Sequence, residues 1–522
     1  MRCSASCSFD STAMFPHMLS LFRVVAAVGV LVGIVNGAER SARQNVEGKT
    51  RVAVGGDQVR SAQQASLGFR PFGNLHALPE SDYTNLEHPS FPRYNVRIKT
   101  SHFCDGTVKA HTGYIDVEAR HLFFYYFESR RDPAQDDVVF WTNGGPGGSS
   151  AVGLFMELGP CRISGPNETV YNPYGWNEYV NMLFVDQPVG TGFSYADHGE
   201  FTSTAVEAAK DIAAFVAILF EHFNLTGRPF HLSGESYAGR FLPVFAAEIV
   251  DQNPKLKASG ITPINLVSLM IGNGCTDWAT LLPSYHDMMC QNITVPPVLD
   301  IKTCVHVKNG MSRCTKWFQE ECRDRFDKIN CKAAMAYCTE LIAIPYSSTG
   351  LSPHDLTLQC GSKGTEGICY EATAHINHYL SKPEVRKEIG VDPSVPEKFL
   401  VHDPTVKLPY DANLDHQFPT QYYLAALLER GIRVLIFVGA NDWICNWVGN
   451  ERMALALEWT GQEQFNQQSF DEWYVGGRAA GKVRSFEGLV FATIYGAGHM
   501  APYDKPEEAL ELVRRWIAEE SL

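Results

Sequence analysis

The hydrophobic and polar positions of the chain fall into two alternating periods. "GYIDV" (113–117), "LFFYYFES" (122–129), "DVVFWTNGG" (137–145) and "NMLFVDQ" (181–187) are apolar, aromatic or β-branched runs that stop at turn residues, which is the signature of strands. "STAVEAAKDIAAFVAILFEHF" (203–223) repeats its apolar positions at helical spacing. It is followed by further strand patterns in "FHLS" (230–233), "LVSLMIGNG" (266–274), "RVLIFVGAND" (433–442) and "GLVFATIYGAGH" (488–499). Strands alternating with helices predict an α/β fold with a mostly parallel sheet covered on both faces.

Two regions break this rhythm. Residues 275–373 interrupt the alternation before "INHYLSKPEVRKEIG" (376–390) restores a helical pattern, and they read as a cap inserted between core segments 92–274 and 374–522. At the start, Arg23 precedes a 12-residue apolar run, Val24 to Val35, with small residues before a cleavage point near 37. That run falls short of the roughly 20 residues that span a bilayer, so 1–37 reads as a signal peptide rather than an anchor. The polar stretch 38–91 lacks sustained periodicity and is expected to be a flexible pro-segment. No stable membrane span is expected once the signal is removed.

Composition adds the compartment. A net charge of −14 argues against nucleic acid as a partner, and the 45% apolar share is that of a globular protein. Nine of the 14 cysteines lie between Cys275 and Cys369, and no C-x-x-C pair occurs, so disulfides in an oxidising lumen are expected rather than a metal site. Sequons at Asn167, Asn224 and Asn292 are candidate glycosylation sites and point the same way. The chain ends "EESL" and not K-D-E-L, which leaves lysosome, vacuole and secretion open.

Two serines compete as nucleophile. "FHLSGESYAGRFLPVFAAEIV" delivers Ser236 from a strand, through small neighbours, to the start of a helix, as a nucleophile elbow requires. Ser194, in "GFSYAD", follows Pro188, Gly190 and Gly192 with no helix behind it, and reads as part of a structured loop. An alcohol needs a base and an orienting acid. Asp442 and His499 each follow an apolar strand pattern and complete the order Ser, acid, His. "WTNGGPGGSS" (141–150) offers backbone amides for an oxyanion; it has no lysine after its glycines and so is not a phosphate loop.

Together with "ELGPC", "NPYGWN", "DQPVGTGFSY", "GESYAGRF", "IGNG", "ICNWVGN" and "YGAGHMAPYDKP", these motifs resemble the serine carboxypeptidases from about Tyr94 to the C-terminus. The resemblance implies an α/β-hydrolase fold without cofactor, cleavage of single residues from peptide and protein C-termini, and Ser236, Asp442 and His499 as the triad. It places the oxyanion hole at the amides of Gly145 and Tyr237. It assigns the substrate carboxylate to Trp141, Asn143, Gly144, Glu157 and Glu235, where two neighbouring acids hold a proton best at low pH. The leaving-residue pocket would comprise Val152, Met156, His354, Tyr370, Thr373 and Met500, a mostly apolar set that favours bulky uncharged residues. It would bring in Cys445 as an unpaired thiol sensitive to mercurials.

The resemblance further pairs Cys290 with Cys304, Cys314 with Cys338, Cys322 with Cys331 and Cys360 with Cys369, and leaves Cys104, Cys161 and Cys275 unassigned. Gly148 stands where relatives often carry a cysteine, which removes one disulfide, and Ala440-Asn441 precedes Asp442 where many relatives read G-D-x-D. Acyl transfer to an alcohol, and a role as a binding partner of another lumenal enzyme, are the alternatives to hydrolysis. Oligomeric state is left open.

Overall fold

The computed structural model describes residues 70–104, 106–360 and 369–522; the expected signal peptide and the first part of the expected pro-segment, to residue 69, lie outside them. Twelve strands form the main path of one sheet: β1 (Thr84–Glu87), β2 (Tyr94–Ser101), β3 (Ala110–Val117), β4 (Arg120–Phe127), β5 (Val138–Thr142), β6 (Asn181–Val185), β7 (Phe230–Ser236), β8 (Leu266–Gly274), β9 (Arg433–Gly439), β10 (Asp471–Val475), β11 (Arg478–Phe486) and β12 (Leu489–Ile494). Their spatial order is β1-β2-β3-β4-β6-β5-β7-β8-β9-β12-β11-β10, with the short strand Tyr195–Ala196 beside β4.

The sheet is parallel in its middle, from β6 through β5, β7, β8 and β9 to β12, and antiparallel at both edges. The edge strands β1 to β4 follow one another through short connections, which can only reverse direction, whereas the central ones are separated by helices that return the chain. Side chains of one central strand go to two different cores. Val138 and Phe140 of β5 join Phe215 of α1 (Ala205–His222) and Phe241 and Phe245 of α2 (Ala238–Ala258). Val139 and Trp141, one residue out of phase, face the opposite layer with Met182, Phe184 and Leu435. This is why the central strands read as unbroken apolar runs.

The segment expected as a cap, 275–373, contributes to an apolar cluster that also takes in Leu414, Trp443, Cys445 and Val448. Its helices α3 (Trp278–Cys290), α4 (Ile301–Phe318) and α5 (Lys328–Ser347) are each N-capped by an aspartate, Asp277, Asp300 and Asp327, whose carboxylates accept backbone amides of the first turn. The structure joins Cys290 with Cys304, Cys314 with Cys338, Cys322 with Cys331, and Cys360 with Cys369. It also gives partners to the unassigned cysteines: Cys104 with Cys161, and Cys275 with Cys445. Gly148 meets His402 through an antiparallel backbone bridge. Among the described residues no helix is long and apolar enough to cross a membrane.

Part of the stretch 38–91, expected to be flexible, is regular strand. Residues 84–87 form β1, in register with β2 from Thr84 opposite Ile98 to Glu87 opposite Asn95, and Leu86 is buried in the main core. Four residues of strand, only one of them buried, leave almost no periodicity to detect. Leu86→Ala should therefore lower stability by about 2–4 kcal/mol. A chemical denaturation midpoint equal to that of the unsubstituted protein would show that the strand is not part of the cooperative fold.

Candidate active site

The parallel strands β5, β7, β8, β9 and β12 end along one edge of the sheet, and the loops that follow them carry the candidate residues. At the end of β7, Ser236 adopts φ 65°, a left-handed conformation that a serine takes up only under constraint, and α2 begins two residues later. The turn is tight because Gly234 leaves no room for more: a Cβ there would lie 2.3 Å from the Thr142 carbonyl oxygen and 2.8 Å from the Ala238 Cβ. Ala238, in place of the usual second glycine, is accommodated by that missing side chain. The N-terminus of α2 directs its positive dipole end toward the Ser236 side chain.

Asp442 follows β9 and His499 follows β12, and His499 Nδ1 lies 2.8 Å from Asp442 Oδ2 with both residues buried. Two further donors hold this carboxylate. The Asn273 side-chain amide, at the end of β8, donates to the same Oδ2 at 2.9 Å, and the Ile444 amide donates to Oδ1 at 3.0 Å. Asn273 is held in turn by the Gly439 amide, which donates to its Oδ1 at 3.1 Å. Asn273 escaped sequence reasoning as a site residue, although a polar residue directly after an apolar strand was the signal that found Asp442.

Ser194, the rival, is buried and fully engaged. Its hydroxyl donates to the Asp186 carbonyl at 2.5 Å and accepts the Phe123 amide at 2.7 Å, so it staples a loop to β4. Asp186, just after β6, is a second group that sequence reasoning missed. Its carboxyl accepts from Ser149 Oγ at 2.7 Å, the Ser150 amide at 2.9 Å and the Phe193 amide at 3.1 Å, and burial pushes it up to about 6. These bonds anchor the far end of the "NGGPGGSS" loop.

The near end of that loop rests on the elbow. A Cβ on Gly144 would come within 2.3 Å of the Tyr237 amide nitrogen and 2.8 Å of Ser236 Cβ, so only glycine permits the approach. Among the described residues no protein acceptor takes the amides of Gly145 or Tyr237. The Tyr237 hydroxyl is turned away, donating to Asp415 Oδ2 at 2.7 Å.

Beside these amides lies a chain of buried polar groups. Trp141 Nε1 donates to Asn143 Oδ1 at 2.8 Å, the Gly153 amide donates to the same oxygen at 3.1 Å, and Asn143 Nδ2 donates to Glu235 Oε1 at 2.8 Å. Glu235 and Glu157 are both buried, and among the described residues both carboxyl oxygens of Glu157 and Oε2 of Glu235 have no hydrogen-bond partner. Loss of hydration drives both carboxyls upward, and a charge on one raises the cost of a charge on the other. The pair consequently retains a proton well above the ordinary carboxylate range.

The expected pocket residues stand on several elements. Val152 and Met156 flank Glu157 on a single π-helical turn, Gly153–Leu158 and its N-cap. The His354 ring packs edge-on against the His499 ring at 5.1 Å between centroids, and its carbonyl accepts the His499 amide at 2.7 Å. Tyr370 meets Tyr503 at 5.6 Å and accepts a bond from Thr373 Oγ1 on its carbonyl, and Met500 is buried next to His499. Cys445 is corrected: its sulfur is bonded to Cys275, so no mercurial-sensitive thiol exists there. Asp442, Cys445 and His499 gather ligand atoms within 4.8 Å of one another, but the sulfur is spent in that disulfide and His499 Nδ1 on Asp442, so they do not form a metal set. The three sequon asparagines, Asn167, Asn224 and Asn292, are exposed.

The carboxyl pair ties stability to pH. Unfolded glutamates ionise near 4.3, whereas the folded pair holds its proton, so the native state binds more protons as pH rises above about 4. The contribution of the pair to stability therefore falls as pH climbs from about 4 toward 7, Asp186 and Asp504, both raised to about 6, act in the same direction, and buried histidines held neutral, His111, His354 and His416 among them, act against it. Glu235→Gln should flatten this fall. The difference in melting temperature between the variant and the unsubstituted protein, taken between pH 4 and 7, checks it, and a difference that does not change with pH would contradict the retained proton.

Comparison with known proteins agrees with this arrangement. The family model "Serine carboxypeptidase" matches residues 103–519. Carboxypeptidase Y of Candida albicans is 37% identical over 82% of this chain and 77% of its own. A vacuolar serine-type carboxypeptidase of Saccharomyces cerevisiae is 38% identical over 81% of this chain and 83% of its own. The crystal structure of a prohormone-processing carboxypeptidase from Saccharomyces cerevisiae superposes with a TM-score of 0.69 at 24% identity, covering 79% of this chain and 91% of that one, which supports the α/β-hydrolase-like fold. With the family model spanning most of its length and relatives well above 30% identity, the chain belongs to the serine carboxypeptidase family and is a serine-type carboxypeptidase.

Proposed function

We propose that Ser236, His499 and Asp442 carry out the hydrolysis and that the Glu157–Glu235 pair selects peptides with a free C-terminal carboxylate. The observation that carries this reading is the adjacency of Glu235 to Ser236: a buried, protonated carboxyl one residue from the nucleophile has little use except to donate a hydrogen bond to an anion. In this reading Asn143, which donates to Glu235, and the amide of the next residue, Gly144, add donors. In this reading the substrate carboxylate docks there, which sets the last peptide bond over Ser236.

The Ser236 hydroxyl attacks the scissile carbonyl carbon while His499 takes its proton, and Asp442, fixed by Asn273 and Ile444, stabilises the imidazolium through Nδ1. The amides of Gly145 and Tyr237 receive the oxyanion. His499 then protonates the departing amine, the C-terminal residue leaves, and water completes the cycle through the same base. Val152, Met156, Tyr370, Thr373 and Met500, with His354, frame the leaving residue and favour bulky uncharged side chains over lysine or arginine. Passage through the secretory pathway to a vacuole, lysosome or the exterior agrees with the six disulfides among the described residues and with the vacuolar relative.

A blocked dipeptide and its C-terminal amide, assayed from about pH 4 to 8, test the reading. Release from the free acid should exceed that from the amide at the acid end and decline as the glutamate pair loses its proton, and Ser236→Ala should lower kcat by at least about 10³-fold. Equal rates for acid and amide at every pH would remove the carboxylate-binding role. With matched dipeptides ending in Phe, Leu or Arg, the first two should be released faster; faster release of Arg would overturn the pocket assignment.

A further inference from the structure

Cys275 and Cys445 lie where the two strands that flank the Asp442 site end. Cys275 follows β8 by one residue and stands two after Asn273; its amide donates to the Ser236 carbonyl at 3.0 Å. Cys445 stands three residues after Asp442, past Ile444, whose amide holds Asp442 Oδ1 and whose carbonyl accepts the Tyr285 hydroxyl at 2.6 Å. The Asn273–Asp442 hydrogen bond therefore closes a small ring whose opposite side is covalent: Asn273, Gly274, Cys275, the sulfur–sulfur bond, Cys445, Ile444, Trp443 and Asp442. Four other disulfides stay within the cap, and Cys104–Cys161 ties the loop between β2 and β3 to the strand Cys161–Ile163. Among the described residues only Cys275–Cys445 bridges the ends of two central strands.

We propose that the Cys275–Cys445 disulfide is a positioning element for the hydrolytic residues, holding the Asp442 loop at a set distance from the Ser236 elbow, and that reducing it slows the chemical step. The inference rests on the reading of Ser236, His499 and Asp442 given above. Besides the disulfide, Asn273 joins the two ends by donating to Asp442 Oδ2 and accepting the Gly439 amide, and the Tyr285 hydroxyl holds the Ile444 carbonyl; the β8–β9 pairing itself stops at Gly272 opposite Phe437, so beyond it the disulfide is the covalent tie. A dithiol reductant supplies the two electrons. The sulfur–sulfur bond breaks, each cysteine Sγ takes up a proton as a thiol, and the reductant closes to its own disulfide. Asp442 then keeps its hydrogen bonds only as far as two loops without a covalent tie allow, so His499 is held less well, while Trp141, Asn143, Gly144 and Glu157 of the carboxylate site stand on other elements and are unchanged.

Steady-state kinetics on the blocked dipeptide separate this role from general stability. Cys275→Ala/Cys445→Ala should lower kcat about tenfold with KM within about twofold, since a modest misplacement of a catalytic group is felt in turnover. Cys290→Ala/Cys304→Ala, which removes a disulfide inside the cap, should leave kcat within about twofold. An unchanged kcat in the first variant, or a rise in KM with kcat retained, would overturn the proposal. Should the double variant fail to fold, graded treatment of the intact enzyme with a dithiol, with each opened bond mapped by mass spectrometry after alkylation, decides the matter. Loss of kcat must follow the opening of Cys275–Cys445 and return on reoxidation; loss that follows any other bond rejects it. Activity that survives Ser236→Ala would instead strike the functional reading itself, independently of either cysteine.

Discussion

Two carboxyls buried side by side cannot both be ionised at modest cost, and the candidate site is organised around that constraint. Glu157 comes from a π-helical turn after the glycine loop, Glu235 from the last residues of β7, and Asn143 from the end of β5. The three meet because β5 and β7 are parallel neighbours in register, with Thr142 opposite Gly234. Burial supplies the raised proton affinity, and Asn143, oriented by Trp141, supplies a donor to Glu235. A site of this kind is a poor place for a permanent negative charge and a good one for a visiting carboxylate.

The same geometry resolves why an acid can stand next to a serine nucleophile without opposing it. A charged Glu235 would repel an oxyanion forming at the neighbouring residue by several kcal/mol in a site of low dielectric. A neutral one does not. Successive residues along β7 point to opposite faces, so Glu235 is turned into the buried pair while Ser236, at the start of the turn, is partly exposed. In the proposed reading, recognition and attack thus occupy adjacent residues with different solvent access.

Around this centre, the fold relies on glycine where backbones touch and on buried aspartates where loops need anchoring. Gly144 and Gly234 allow the β5 and β7 ends to approach within van der Waals limits of the elbow. Asp186 gathers three donors from the glycine loop and the Phe193 region, and Asp442 gathers three from β8, β12 and its own turn. Both aspartates follow a central parallel strand, and both accept from residues distant in sequence.

What the sequence determined by itself was everything written in local pattern: the alternating strands and helices, the elbow at Ser236, the acid and histidine after their apolar strands, and the interruption that became the cap. Those features depend on neighbours a few residues apart, so a single chain displays them. Tertiary structure alone decided the rest. Only the order of strands in the sheet puts Asn273 beside Asp442, and only the meeting of β8 and β9 brings Cys275, left without a partner by motif similarity, to Cys445. Likewise β1 is ordered by pairing with β2 although its four residues carry no pattern of their own. Contacts made across the sheet leave no periodic trace in the chain, because each partner satisfies its local pattern equally well without the other.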